Sequence, residues 1–298
     1  MSAATSRCDD GILASADGVA KVAFRRRGAD TALAHLFQRT PLRVLFPGSE
    51  QPGVPLAALV CTSGGLVGGD RLGVRIQLEP DASAVVMTQA AERIYRSTGG
   101  TCRVQTTLDV QQGAHLDYLP HETIVFEGAR LERTTRIELA ARCRLLASGM
   151  LVLGRTAGGE VFSRGFLRDA WEIRRNGRLL WADALLMDGR RENEIQKLIA
   201  ASACLGSAVA IATAVFAGDD TKDEIGDQLA LARELLEAHS PDDESVRSGA
   251  TVVAGRLIIV RWIGRDAYRL RTAFGGFLAS FRHQVMGRGP VLPRLWSV

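Results

Sequence analysis

The sequence predicts a mainly β protein, antiparallel or coiled, with two α-helices in its C-terminal half. Three observations carry that prediction. Apolar and polar residues alternate with period two from residue 72 to 181, an Asn176-Gly177 pair joins two of the alternating runs, and helical spacing appears only after residue 220.

Taken in order, Leu72, Val74, Ile76 and Leu78 alternate with Gly73, Arg75 and Gln77, and the run stops at the turn composition EPDA of residues 79–82. Cys102, Val104, Thr106, Leu108 and Val110 form a second strand that ends at QQG, residues 111–113. Leu131, Arg133, Thr135, Ile137 and Leu139 repeat the pattern. Residues 171–175 and 178–181 then flank Asn176-Gly177, the pair that most strongly favours a two-residue hairpin. Residues 252–263, rich in β-branched side chains, read as one further long strand. Thr221 to Glu224 fit a capping box, and Ile225, Leu229, Ala232 and Leu236 follow at helical spacing until Ser240-Pro241. Asp266 is placed to cap a second helix, with Leu270, Phe274, Phe277, Leu278, Phe281 and Val285 on one face and Gly287 as its stop. The interior Gly275-Gly276 pair costs roughly 1 kcal/mol per glycine, so a close neighbour is expected there. The phenylalanine face is either core or a partner surface formed by Phe274, Phe277 and Phe281.

Composition sets the outer bounds. Of 298 residues, 46% are hydrophobic and 23% charged, enough to bury a core and unlike a disordered chain. Without a fixed-period repeat or a linker-like tract, a single domain over 20–298 is expected, after a flexible segment 1–19. The most apolar stretch, residues 208–217, is too short for a spanning helix, which needs roughly 20 residues. Asp9 and Asp10 stand where a secretory signal would be basic and then apolar, so a cytoplasmic location is expected. The net charge of +4 hides an imbalance: the lysines are Lys21, Lys197 and Lys222, and the other 34 basic residues are arginines. Scattered among 33 carboxylates and without interleaved aromatics, they argue against nucleic-acid binding. Codon usage explains such a bias; so does a preference for guanidinium groups at protein contacts. Cys8, Cys61, Cys102, Cys143 and Cys204 are widely spaced without a CxxC pair, which fits buried thiols better than a zinc site.

Few residues suggest chemistry. The cluster SGGLVGGD, residues 63–70, is neither a Walker loop nor a dinucleotide fingerprint, because strand pattern follows it. Its four glycines Gly64, Gly65, Gly68 and Gly69 let the backbone fold back and hold Asp70 in a fixed position, either as a turn acceptor or as a functional carboxylate. His121 and Glu122 are adjacent, so in a strand they face opposite ways and cannot chelate as a pair.

Several segments, in order, resemble the urease accessory protein D family, called UreD or UreH. They are TSGGLVGGDRL at 62–72, TQAAERIYRS at 88–97, YLPHE at 118–122 with FEGAR at 126–130, LGR at 153–155 with Gly159-Glu160, and PRLW at 293–296. Arg71 and Arg155 belong to these motifs with the four glycines. The resemblance spans about residues 20 to 297 and implies an irregular helical winding of β-strands with two helices. It also implies a non-enzymatic urease maturation factor that binds apo-urease, UreF and the GTPase UreG, with no nucleic acid or membrane partner. Nickel would be cargo in transit, not a tightly bound ion, and no organic cofactor is implied.

By position, the resemblance carries over Asp70, Glu122, Glu160 and Asp183 as acidic positions for a nickel passage, joined by Cys61 and His121. Spaced carboxylates suit a conduit, because nickel(II) must be released from each contact. Each also suits a structural ion pair. The chain departs from the family pattern at Cys61, Thr62 and Ser63, where many members have His-Pro-Pro, and at Ser148, Gly149 and Met150, where an aromatic and an acidic residue are expected. The rival reading is a β-rich metal-dependent hydrolase using Asp70, His121 and Glu122.

Overall fold

A computed structural model describes residues 15–49, 51–155, 158–189, 194, 195, 197, 208–218 and 222–297. Residues 1–14, and with them Cys8, lie outside the described residues, as do Cys204 and Thr221. The first strand already starts at Asp17.

The strands are β1 (Asp17–Arg27), β2 (Asp30–Arg39), β3 (Leu42–Leu45), β4 (Leu56–Cys61), β5 (Arg71–Leu78), β6 (Ser83–Thr88), β7 (Glu92–Ile94), β8 (Cys102–Val110) and β9 (His115–Tyr118). They continue as β10 (Thr123–Val125), β11 (Arg130–Leu139), β12 (Arg144–Leu153), β13 (Gly165–Arg175), β14 (Arg178–Gly189) and β15 (Ala210–Ala217), then β16 (Val246–Val253) and β17 (Leu257–Gly264). Helix α1 (Lys222–Ala238) precedes β16, and α2 (Ala267–Met286) follows β17. One sheet has seven strands in the order β14-β13-β11-β8-β5-β1-β2. The other runs β16-β17-β15-β12-β9-β6-β4-β3, with β10 and β7 paired beside β12.

The chain winds between the sheets as a coil. Strands β1, β5, β8, β11 and β13 lie parallel in one sheet, and β4, β6, β9 and β12 lie parallel in the other. Antiparallel pairing is confined to the flanks, for example β1 with β2 and β13 with β14. The coil is held at four-residue corners stacked on one another, where Asp81, Gly113 and Arg142 each take a positive φ (60°, 70° and 54°). Ladder bonds run from corner to corner, from Asp81 N–H to the Gln112 carbonyl and from Arg144 N–H to the Ala114 carbonyl. Ala82, Ala114 and Cys143 close these corners at 0% exposure, which places the Cys143 thiol as a small core residue. The corners recur at unequal intervals, so the repeat has no fixed period in sequence.

Two cores follow from this layering. One lies between the sheets and includes Phe24, Ile76, Leu108 and Leu145; the other lies between the ten-stranded sheet and the helices. Successive residues of β12 alternate between them, Leu145, Ala147 and Leu151 going to the first and Leu146, Met150 and Val152 to the second. A sheet buried on both faces reads as a continuous apolar run, as β12 does.

The hairpin at Asn176-Gly177 forms with both residues at positive φ (50° and 76°), the geometry of a type I′ turn. Asp266 caps α2 by accepting from the Arg269 N–H, and Gly287 ends it in the left-handed region. Residues 252–263 are not one strand. Ala254 and Gly255, at φ 52° and 63°, turn the chain between β16 and β17, so the run is an antiparallel hairpin whose three-residue turn, residues 254–256, opens on an apolar residue. Phe274, Phe277 and Phe281 are core and not a partner surface: they are 0–1% exposed and pack on Trp262 and Phe216. The glycine pair has its close neighbours. A Cβ on Gly275 would lie 3.0 Å from Trp296 Nε1, and one on Gly276 would lie 2.5 Å from His239 Nδ1, just beyond α1. Gly276→Val is expected to lower the unfolding free energy by about 1–3 kcal/mol through overpacking, despite the helix propensity gained. A denaturation midpoint at or above wild type would contradict that close approach.

Candidate functional site

Between the sheets, in the first core, the apolar packing is interrupted by a cavity of about 110 Å³, space for several waters. Its wall includes Cys61, Glu92, Tyr118, His121, Thr106 and Arg133.

Each charged group there is placed by a different coil. Arg133 on β11 makes a bidentate pair with Asp169 on β13, Nε to Oδ1 at 2.7 Å and Nη2 to Oδ2 at 2.8 Å, and Nη1 donates to Thr123 Oγ1 at 2.9 Å. Parallel in-register pairing of β11 and β13 sets Arg133 directly beside Asp169. Burial works against the Arg133 charge, but the Asp169 carboxylate and Glu92 outweigh it and hold the guanidinium protonated. Its charge is thus already matched by Asp169. Glu92, at the start of β7, has no such ion pair among the described residues. Burial pushes its carboxyl above the ordinary value of 4.5, with Arg133 offsetting part of the effect. Tyr118 hydrogen-bonds Thr106 and is pushed up mainly by burial. Cys102, 0% exposed, is raised by burial and then by Glu92, Asp70 and Cys61, so it is an inert thiol.

His121 closes one side of the cavity. Its Nε2 lies 2.9 Å from the Leu295 carbonyl and its Nδ1 lies 3.2 Å from Thr88 Oγ1 and 2.9 Å from the Thr88 carbonyl. The ring stacks on Trp296 at 5.4 Å. Burial lowers its pKa, Glu122 opposing, so the neutral ring is the form to consider. A neutral ring donates from one nitrogen only, to the Leu295 carbonyl through Nε2 or to the Thr88 carbonyl through Nδ1, and both ring nitrogens are thus engaged by the protein.

The residues singled out from the sequence divide between this cavity and other places. Cys61 and His121 line it, with Cys61 Sγ 3.1 Å from Ser63 Oγ. Asp70 does not. It is 4% exposed, and its two oxygens accept from Ala16 N–H at 2.7 Å and Val67 N–H at 2.8 Å. The glycine loop makes this possible: a Cβ on Gly68 would lie 2.5 Å from the Gly100 carbonyl, and Gly69 holds φ 98°. Glu122 pairs with Arg271 on α2 at 3.2 Å, and Arg271 also donates to the Trp296 carbonyl at 2.7 Å. Glu160 accepts from Glu127 N–H at 2.8 Å, bracing the loop in which Glu127 holds Ser163. Asp183 is a half-exposed partner of Arg261 at 2.6 Å, bridging β14 of one sheet to β17 of the other. Arg155 lies over Phe126 at 6.0 Å, and Arg71 is exposed. Asp70, His121 and Glu122 therefore do not converge on one cavity. The hydrolase arrangement does not form.

The aromatic and acidic residues expected near residue 149 come from elsewhere. A Cβ on Gly149 would lie 3.2 Å from Trp171 and 3.7 Å from Arg133, so Trp171 of the facing sheet occupies that space. Glu92 lines the same cavity as Gly149. Sequence reasoning missed Glu92, Arg133 and Asp169, although Glu92 sits within TQAAERIYRS; a carboxylate after two alanines at the mouth of a short strand was the available signal. Among the described residues no three His, Cys, Asp or Glu side chains are grouped so as to hold a metal ion. Nor is any helix of the described residues long and apolar enough to cross a membrane.

Comparison with known proteins bears on this site. The family model described as UreD urease accessory protein matches residues 16–297. The urease accessory protein UreD of Magnetococcus marinus is 40% identical over 298 residues, covering 100% of this chain and 99% of its own. That of Dinoroseobacter shibae is 38% identical, covering 94% and 92%, and one from Rhodopseudomonas palustris is 36% identical, covering 99% of each.

Proposed function

The chain belongs to the UreD urease accessory protein family, and from that premise we propose that it is a non-enzymatic maturation scaffold that passes nickel through the inter-sheet cavity. In this reading it binds apo-urease, UreF and UreG in the cytoplasm, and nickel is cargo held weakly and released. The family carries the urease maturation role, and the cavity supports the nickel step.

The observation behind the nickel step is Glu92. Nickel(II) accepts carboxylate, imidazole and water, and a conduit needs contacts that let go. Glu92 is a carboxylate beside a small water-sized space, not committed to an ion pair among the described residues, while the nearby cation Arg133 is already taken by Asp169. His121 has both ring nitrogens engaged, so here it is a wall more than a ligand.

Replacing Glu92 tests this. In a host dependent on the chain, Glu92→Gln is expected to cut nickel content and activity of urease by about ten- to a hundredfold, the loss typical when a metal-site partner is removed. The same variant should be more stable than wild type at neutral pH. Because the folded carboxyl is raised above 4.5, the folded state disfavours its ionisation; that cost grows as pH rises through the folded value and is absent below 4.5. Glutamine escapes it. The melting gain should thus be present at pH 7 and vanish in acid. Normal urease nickel content with Glu92→Gln would defeat the conduit reading.

A further inference from the structure

Beyond Gly287, which ends α2, residues 289–297 run back along that helix as a strap. Val291 lies beside Arg282, Leu292 beside Gly275 and Trp296 beside Arg271, and the strap stops against His121 in the cavity wall. It belongs to neither sheet, and among the described residues its one backbone-to-backbone bond is internal, from the Trp296 N–H to the Pro293 carbonyl. Side chains of the body hold it instead. Arg271 donates to the Trp296 carbonyl at 2.7 Å and lies over the indole at 5.8 Å, and Phe274 packs on the same ring at 6.0 Å. At the tip, the Leu295 carbonyl lies 2.9 Å from His121 Nε2.

On its other side, His121 is already arranged as a metal ligand would be. Histidines that bind metals commonly donate their second ring N–H to a backbone carbonyl, which fixes the tautomer and aims the free nitrogen. His121 Nδ1 lies 2.9 Å from the Thr88 carbonyl. With the proton on Nδ1, Nε2 turns a lone pair toward the Leu295 oxygen, which has only lone pairs to offer. With the proton on Nε2, the Thr88 carbonyl loses its ring donor. A neutral imidazole cannot satisfy both carbonyls, so one of its two tautomers breaks the hydrogen bond that holds the strap tip.

We propose that the strap masks His121: when it lifts, Nδ1–H stays with Thr88, and Nε2 becomes an imidazole contact for nickel, the next after Glu92 and on the helix side of the cavity. This rests on the conduit reading above. Glu122 and Arg271, paired with each other at 3.2 Å, flank the ring on that side. One imidazole with water around the rest of the ion is a weak contact, as a transfer step requires.

Titration of the isolated full-length chain with nickel chloride tests the mask. Trp296→Ala removes the ring stacked on His121, and Gly275→Val drives a side chain into the indole while keeping it. If the strap is open in fewer than about a tenth of wild-type molecules, holding it open tightens apparent nickel binding by about tenfold or more. Both variants should show that gain, and His121→Gln added to either should abolish it. Diethylpyrocarbonate, read by peptide mass, should modify His121 faster in both variants than in wild type. Should Trp296→Ala fail to fold, Gly275→Val carries the same comparison. Wild-type nickel affinity in the folded variants, or a gain that survives His121→Gln, overturns the mask and leaves the conduit reading in place. Normal urease nickel content with Glu92→Gln overturns the conduit reading, and the transfer role of His121 with it.

Discussion

Asp117→Ala is expected to be the most destabilising single substitution in the chain. Asp117 on β9 is 0% exposed and faces the helical layer, where its Oδ2 accepts from Arg282 Nε at 2.9 Å and Arg288 Nε at 3.1 Å. The two guanidinium groups are themselves 4% exposed. Arg288 reaches further, donating to Ser83 Oγ at 3.0 Å. This triad ties β6 and β9 to the end of α2, whose C-terminal carbonyl dipole also favours the two cations. Removing the carboxylate strands both charges in a water-poor layer. Breaking one buried pair costs roughly 3–5 kcal/mol, and folded domains have about 5–15 in all. Asp117→Ala should therefore be mostly insoluble or melt far below wild type. Asp117→Ala combined with Arg282→Leu and Arg288→Leu should recover much of the loss, because the penalty lies in the unpaired charge and not in the missing contact. A single variant that unfolds at the wild-type denaturant concentration would refute the assignment.

Asp169→Ala is expected to damage stability and nickel transfer together. Arg133 would lose its bidentate partner inside the first core, again a cost of about 3–5 kcal/mol. Among the described residues the carboxylate left to draw its charge is Glu92, whose ionisation Arg133 already favours. A cation held at Glu92 repels another cation, so the folded fraction should load urease poorly. The double variant Arg133→Met with Asp169→Leu separates the two effects. It removes both charges at similar volume, should melt near wild type, and should restore nickel loading because Glu92 is again unmatched. Restored stability with transfer still absent would mean that the pair contacts the cargo directly, against the role given to it above.

Much of the fold was legible in the chain's local pattern. Alternation marked β5, β8, β11 and β13, Asn176-Gly177 marked the hairpin, and Asp266 and Gly287 marked both ends of α2. These are local signals, written within a few residues by backbone sterics and capping. The hairpin between β16 and β17 escaped because Ala254 carries its turn, and alanine does not announce a positive φ.

The site was less legible. Asp70 was singled out rightly as a residue held by glycines, yet its oxygens are spent on Ala16 and Val67. Glu122, Glu160 and Asp183 are each occupied by an arginine or a backbone amide. Little near Glu92 in the chain distinguishes it from a solvated glutamate; Arg93 beside it is exposed. Its significance arises from Arg133 and Asp169 on other coils, and from which of the two carboxylates the guanidinium takes.

The sequence alone determined the strand and helix content, the caps, the glycine loop and the family, because each depends on short-range pattern or on motifs in order. Tertiary structure decided which strands lie parallel, that the phenylalanine face is interior, and that one unmatched carboxylate faces a cavity. It also showed that part of the arginine excess, spread through the sequence, is paired with carboxylates on neighbouring strands of one sheet. Lateral pairing joins residues tens of positions apart, and the charge each one keeps depends on the neighbour that pairing supplies.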